Sequence, residues 1–398
     1  MGKAQEDRSR IGQMAELVFY IGLTLELLIV LIDKSALINP IEGRLFQLTF
    51  LIFGLKVLLT RYSLREWISL AVLLGVGFLS YRAVDSNNVI RIVMFLAACK
   101  GIDIQKALKY IFWVTLGGVL FLIALSIVGA LGSIAVTEDF GRGEIETRYC
   151  FGLGHPNTLH TMVFVLMVLG LVIYQQRLKW YGFLLLFLGN IGLFFLTTSR
   201  TGLLMGLGAL LLFLLLHYCP ALFEKRMVYI VGGLLVLACV ILSLAVSTVG
   251  IEFVEGKYPL LHRIDAMLTG RIYYMSFITD ITRFGLLSNA ENSAYFDMGW
   301  IRVFYWYGFI PAFLYVAGNL AAIKEAFRKQ DGAEMLLFVI FAVYTVMEAH
   351  LVSVYLARNY LLIFIAEGCR ALLFRESQYE EYFFKGYRFF KRKTVYEE

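Results

Sequence analysis

Three arginines stand in short motifs beside the ends of apolar runs: Arg148 in RYCFGLGHPN, Arg200 in TTSRTG and Arg271 in LTGR. A guanidinium stays charged at any accessible pH and grips phosphate oxygens two at a time, so a convergent set of three would neutralise a pyrophosphate without a metal. Each also has an ordinary structural use, as a helix cap or as the ion-pair partner of Glu144, Glu146 or Asp265. Pro156 suits the first turn of a helix, whose free N–H groups favour an anion. His155 before it and Asn157 after it can donate to sugar or phosphate oxygens, and His160 suits either that use or a structural hydrogen bond. A hydroxyl nucleophile needs a proton acceptor; Asp297 and His155 are the catalytic candidates, with His262 further off. Asp297 in NAENSAYFDMGW could instead complement a helix dipole. Asn292, in the same stretch, adds a second polar group.

Other residues carry weaker signals. Ser199 and Thr201 suit a helix cap. Tyr295, Trp300, Tyr305, Trp306 and Tyr307 suit stacking on sugar rings or an interfacial aromatic belt. Glu26, Lys56, Arg91, Glu348, Arg358 and Glu367 fall within apolar runs, where a charge needs a reason. Glu26 and Lys56 suit an interhelical pair, while Glu348, His350 and Arg358 flank a tight turn that could extend the arginine cluster. Glu144 and Glu146 form an ExE pair of the kind that occurs by chance in acidic loops. No Walker A motif, GxGxxG after a strand, HExxH or clear DxD pair is present, so ATP-driven transport, nicotinamide chemistry and zinc proteolysis lack their usual groups. No metal or cofactor is expected.

The elements that must position these residues follow from composition. Of 398 residues 60% are hydrophobic and only 17% charged, and the mean hydropathy is +0.74. Those values lie far above the globular range of roughly 45–50% apolar. The charges cluster between apolar runs whose length matches the ~20 residues a helix needs to cross the hydrocarbon core. The expected fold is all-α and polytopic, with spans near 14–32, 45–60, 66–81, 84–99, 107–131, 156–174, 179–197, 201–217, 227–247, 300–323, 333–349 and 353–370. The fourth is the shortest and is interrupted by Arg91. One transmembrane unit covers 1–370, and 371–398 forms an aromatic and basic tail suited to a lipid surface.

The net charge of +6 comes from bases at span ends rather than from one stripe, which points to topology and not to nucleic acid. With the N-terminus inside, every inner connection is basic, from Arg61/Arg65 to Lys324/Arg328/Lys329, so both termini are expected in the cytoplasm. The first span carries no cleavage signal and is expected to be retained. Two connections, about 132–155 and 248–299, are long and lie outside. Arg148, Arg200 and Arg271 then oppose the positive-inside rule, and a polyanionic ligand would explain them. Five cysteines without CxxC spacing indicate neither disulfides nor zinc.

RYCFGLGHPN, TTSRTGLL, LTGR and an aspartate ahead of the last spans, in that order, resemble the Wzy-type polysaccharide polymerase and O-antigen ligase superfamily. The hydropathy profile is similar along most of the chain, and the Gly/His-Pro-Asn segment looks like that of capsular and exopolysaccharide polymerases. The resemblance implies a glycosyltransferase of the bacterial plasma membrane. It would join polyprenyl-pyrophosphate-linked oligosaccharide repeat units on the outer face, with lipid-linked donor and acceptor, surrounding lipids, and flippase and chain-length regulator proteins as partners. It also implies pyrophosphate binding by Arg148, Arg200 and Arg271, with Asn157, Asn292, His160 and Arg358 as further substrate contacts. Ligases of the superfamily tend to carry a histidine in the late loop, where this chain has Asp297, and that departure favours polymerase. The alternatives are a ligase-like transfer to another acceptor, or a flippase for the same lipid, which would show two related halves and a midplane site.

Overall fold

In a computed structural model, the structure describes residues 2–84, 86–140, 143–268, 270–278, 284–287, 292, 294–352 and 358–374. The described chain is overwhelmingly helical. In order come α1 (Gly2–Asp33), α2 (Glu42–Leu58), α3 (Leu64–Val84), α4 (Asn88–Ala98), α5 (Ile104–Ile127), a hairpin of β1 (Ala135–Asp139) and β2 (Ile145–Tyr149), α6 (Pro156–Tyr174), α7 (Trp180–Thr197), α8 (Arg200–Tyr218) and α9 (Arg226–Ser247). Then follow the short α10 (Gly250–Val254), α11 (Pro259–Met267), α12 (Arg271–Ile278) and α13 (Gly299–Tyr307), and finally α14 (Phe309–Lys329), α15 (Gly332–Met347) and α16 (Arg358–Phe374).

Seven of these helices are long and apolar enough to cross a membrane: α1, α3, α5, α6 with its short extension, α7, α8 and α9. The chain is therefore a helical membrane protein. Each of the twelve expected spans overlaps a described helix, but five fall outside those seven: the twelfth meets α16, of 17 residues, and four others depart from a full crossing for identifiable reasons. α4 has 11 residues, about 16 Å of rise. α15 has 16 residues, and α2 has 17 with Lys56 near its end. The tenth span is two helices, broken at Gly308. Its φ of +83° needs glycine, and a Cβ there would sit 2.4 Å from the Leu287 carbonyl carbon.

The expectation of an all-α bundle holds for the helical body, and the one addition among the described residues is a β-hairpin in the 132–155 connection. The run VTED/IETR carries β-branched residues on both sides of a Gly-rich turn, so two short strands pair antiparallel with Val136 opposite Arg148 and Glu138 opposite Glu146. The 248–299 connection likewise contains α10, α11 and α12.

Polar groups gather at two opposite ends. One end joins the α2–α3, α4–α5 and α14–α15 turns to the close of α16. There Lys100 pairs with Glu66 at 2.6 Å, Tyr62 donates to the Ala97 carbonyl, and Lys329 bridges Glu334 at 2.5 Å and Glu367 at 2.6 Å. We call it the basic end. The hairpin end carries the β-strands and the turns α1–α2, α5–α6, α7–α8 and α15–α16, tied for instance by the Ala36 N–H donating to the Gly152 carbonyl. Gly152 has a φ of +75° and passes within 3.1 Å of the Leu131 carbonyl as a Cβ would see it, so a side chain has no room. Between the ends, Arg91 pairs with Glu26 at 2.8 Å and lies over the Phe46 ring. This corrects the expected Glu26–Lys56 pair: Lys56 reaches instead to the Lys100 carbonyl, where the carbonyls closing α4 attract a cation.

Candidate functional site

The hairpin end brings most of the singled-out polar residues together. Alternate residues of a strand share a face, so Glu146 and Arg148 on β2 lie side by side. The Arg148 Nε donates to Glu146 Oε2 at 2.9 Å, and its guanidinium lies 3.9 Å over the Phe140 ring. Phe140 also meets the His155 ring edge-on at 5.7 Å. Arg148 is buried, and His155 sits within electrostatic reach of Glu138, Arg148 and Asp297. Partial desolvation holds the His155 imidazole below the usual histidine range, against the pull of Glu138. The neutral ring serves as N-cap of α6, with Nδ1 accepting from the Asn157 N–H at 3.1 Å and Pro156 in the first turn, as its sequence predicted.

The α7–α8 turn joins this cluster to the next. Thr198, in the left-handed conformation that reverses the chain, donates to the same Glu146 Oε2 at 3.4 Å. Three residues on, Thr201 accepts from Arg271 Nη1 at 3.3 Å. Arg200 lies between them, exposed and with no side-chain hydrogen bond or ion pair among the described residues. The expected capping by Ser199 is absent, since its side chain makes no cap bond, and Thr201 faces Arg271 instead.

Arg271 is the hub. It opens α12, whose first N–H groups are satisfied by Asp265: Oδ1 accepts from Ile272 at 2.6 Å and Oδ2 from Tyr273 at 3.2 Å. Asp265 is therefore a helix cap, not an arginine partner. Arg271 Nη2 bonds Glu348 Oε1, and its Nε lies 3.6 Å from Asp297 Oδ2, an ion pair rather than a hydrogen bond. Asp297 is 43% exposed at its side chain, Glu348 only 7%. Burial pushes the Glu348 carboxyl up to about 7; Arg271 and Arg302 oppose that shift and Asp297 adds to it. His350 Nε2 stands 3.6 Å from Glu348 Oε2, and burial, with Lys34, Arg302 and Arg271 nearby, pushes its imidazole down to about 3.

Sequence reasoning missed Arg302. It is fully buried in the aromatic run WIRVFYWYGF, 3.6 Å over the Tyr295 ring and 4.6 Å over Trp306, and it donates to the Phe296 carbonyl. It thus holds the segment that presents Asp297. An arginine inside an interfacial aromatic run was the available signal.

Two expected substrate contacts are corrected. His160 has no exposed surface; Nδ1 pairs with Thr197 Oγ1 at 2.8 Å and Nε2 with Asn190 Oδ1 at 3.2 Å, a buried link between α6 and α7. Asn292 is buried and donates to the Tyr305 carbonyl at 2.9 Å. Asn157 stays half-buried in the first turn of α6 at the cluster's edge. Arg358 begins α16, but its side chain, like residues 375–398 of the expected tail, lies outside the described residues. His262 stacks on Phe253 at 4.1 Å.

A mainly apolar cavity of about 330 Å³ runs between α3, α4, α14 and α16. At one end it meets Glu66 and Arg370, and at the other Leu351 and Val352, which directly follow His350. The arrangement can therefore bind an anion at Arg271 and Arg200 and accept a proton at Asp297 or His155, while the apolar cavity meets the Glu348–His350 turn through Leu351 and Val352. The chain matches no protein-family model, no curated protein and no solved structure.

Proposed function

We propose that this protein is a polysaccharide polymerase of the plasma membrane, a glycosyltransferase that joins polyprenyl-pyrophosphate-linked oligosaccharide units at the hairpin end, which faces outward. The observation that carries this reading is the α7–α8 turn. Through Thr198 it touches the partner of Arg148, through Thr201 it touches Arg271, and it holds Arg200 between them. Arg148 and Arg271 already face carboxylates of the chain, whereas Arg200 stands exposed beside them, a guanidinium open to an anion from outside. A diphosphate with its hydrocarbon tail in the bilayer is an anion that reaches this depth.

In this reading Arg200 and Arg271 hold the donor diphosphate while Arg148 holds the hairpin beside it. The acceptor hydroxyl attacks the donor's anomeric carbon as the bond from that carbon to the phosphate oxygen breaks. The hydroxyl proton passes to Asp297, already beside Arg271, and the diphosphate leaves on its lipid with its charge held by the arginines. His155 is the second candidate for the proton. The cavity ending at Leu351 and Val352 supports a hydrocarbon chain lying beside the polar cluster. All twelve helical segments would alternate across the membrane, with both termini on the basic, cytoplasmic side. A flippase fits less well, because among the described residues the polar clusters lie at the ends and the charged pair between them, Glu26 with Arg91, is closed on itself rather than open as a central site.

The test is chain growth by the full protein in nanodiscs, given lipid-linked repeat units and scored as a ladder on a gel. Arg271→Ala and Arg200→Lys should each lower chain growth by roughly a hundredfold or more. Asp297→Asn and His155→Ala, made separately, decide which group takes the proton. Wild-type ladders from both arginine variants would overturn the reading.

A further inference from the structure

Glu348 has no part in the reaction as described above, yet it bonds Arg271, the arginine that also meets Asp297 and Thr201. Arg271 is engaged on one side by Asp297 and on another by Glu348, so its charge is offset by two carboxylates. The two differ in setting, Asp297 nearly half exposed and Glu348 buried. The groups facing Glu348 are Arg271 of α12, Asp297 before α13, Arg302 of α13, Tyr344 of α15, and His350 of its own turn. Lys34 and His155 lie beyond His350.

We propose that Glu348 is a surrogate for the ligand's phosphate, holding Arg271 when the site is empty and taking up a proton when a diphosphate displaces it. This deepens the diphosphate reading above and rests on it. The step balances simply. One solvent proton binds Glu348, its carboxylate becomes a neutral carboxyl that no longer competes for Arg271, and the arginine's freed N–H groups turn to the phosphate oxygens. Burial makes the protonated form accessible, for a carboxyl this enclosed titrates at about 7 even beside an arginine. A second phosphate oxyanion near Glu348 raises that further, since like charges oppose ionisation. Glu348 does not touch the reacting atoms. It is a positioning residue that sets when Arg271 is available.

The expected signature is linkage between protons and anion. Above about 7 the empty site keeps Glu348 ionised, so binding must recruit a proton and affinity falls by up to about tenfold per pH unit. The experiment titrates inorganic pyrophosphate into the full detergent-solubilised protein from pH 6 to 8.5, wild type against Glu348→Gln. Pyrophosphate's own protonation is common to both and cancels in the comparison. The glutamine variant, permanently neutral, should bind more tightly than wild type at pH 8, and the two curves should meet near pH 6. Infrared difference spectra of the wild type at pH 8 supply a readout independent of how the variant folds: pyrophosphate should raise a protonated-carboxyl band. Parallel affinity curves, or no such band on binding, overturn the role of Glu348 and leave the diphosphate site standing. Failure of both proteins to bind pyrophosphate at any pH overturns the diphosphate reading and this inference with it.

Discussion

At the scale of single residues, what organises the cluster is competition for donors. Glu146 serves both Arg148 and Thr198, Arg271 serves Thr201, Asp297 and Glu348, and only Arg200 is left facing outward without a partner among the described residues. Arg271→Lys should therefore fail almost as badly as Arg271→Ala in chain growth, because a single ammonium nitrogen cannot span the separate positions from which the guanidinium Nε, Nη1 and Nη2 meet Asp297, Thr201 and Glu348. His350 makes a separate prediction about stability. Its folded-state pKa of about 3 lies below the ordinary 6.5, so the unfolded chain binds a proton that the fold rejects. Its contribution is present in full above 6.5 and is lost as pH falls toward 3. In thermal melts in detergent, His350→Gln should flatten that acid-side loss relative to wild type; an unchanged pH profile would show that His350 is charged in the fold.

At the scale of elements, the site depends on how closely helices approach below it. The tight α7–α8 turn can hold Arg200 only because α6, α7 and α8 lock together through His160, Thr197 and Asn190. A Cβ on Gly202 would come 2.3 Å from the His160 ring, so α8 must be bare at that level. Gly202→Ala should push His160 off Thr197 and reduce activity along with melting temperature, although Gly202 has no side chain with which to meet a substrate. Gly368 is the control away from the site. There a Cβ would lie 2.5 Å from the Ala322 backbone nitrogen, where α14 and α16 touch. Gly368→Ala should cost about 1–3 kcal/mol of stability by overpacking. Normal melting of both variants would mean that these contacts are looser than described.

At the scale of the whole molecule, segregation of charge to two ends is the property that gives the bundle an orientation. The basic end holds buried ion-pair networks around Glu66 and Glu334, while the hairpin end holds arginines arranged around acceptors. Cys219, at the α8–α9 turn of the basic end, is exposed, whereas Cys99, Cys150 and Cys239 are buried and Cys369 is intermediate. A membrane-impermeant thiol reagent should label Cys219 only after the membrane is opened. Labelling in intact spheroplasts would reverse the orientation and place the arginine cluster in the cytoplasm, where it would need no special ligand.

The membrane setting, the helix positions and the motifs worth following were legible in the chain itself, because apolar run length and charge placement are local quantities. Pro156 announced the start of α6 in the same way. The partners were not legible. Whether Glu26 meets Lys56 or Arg91, whether His160 faces a substrate or Asn190, and whether Arg302 is an aromatic-belt neighbour or the clamp behind Asp297 depend on which helices lie side by side. Those neighbours are set by packing between segments tens to hundreds of residues apart. Inside a bilayer, apolar surface costs little against lipid, so the hydropathy pattern that reveals each helix says little about the face it turns to the next.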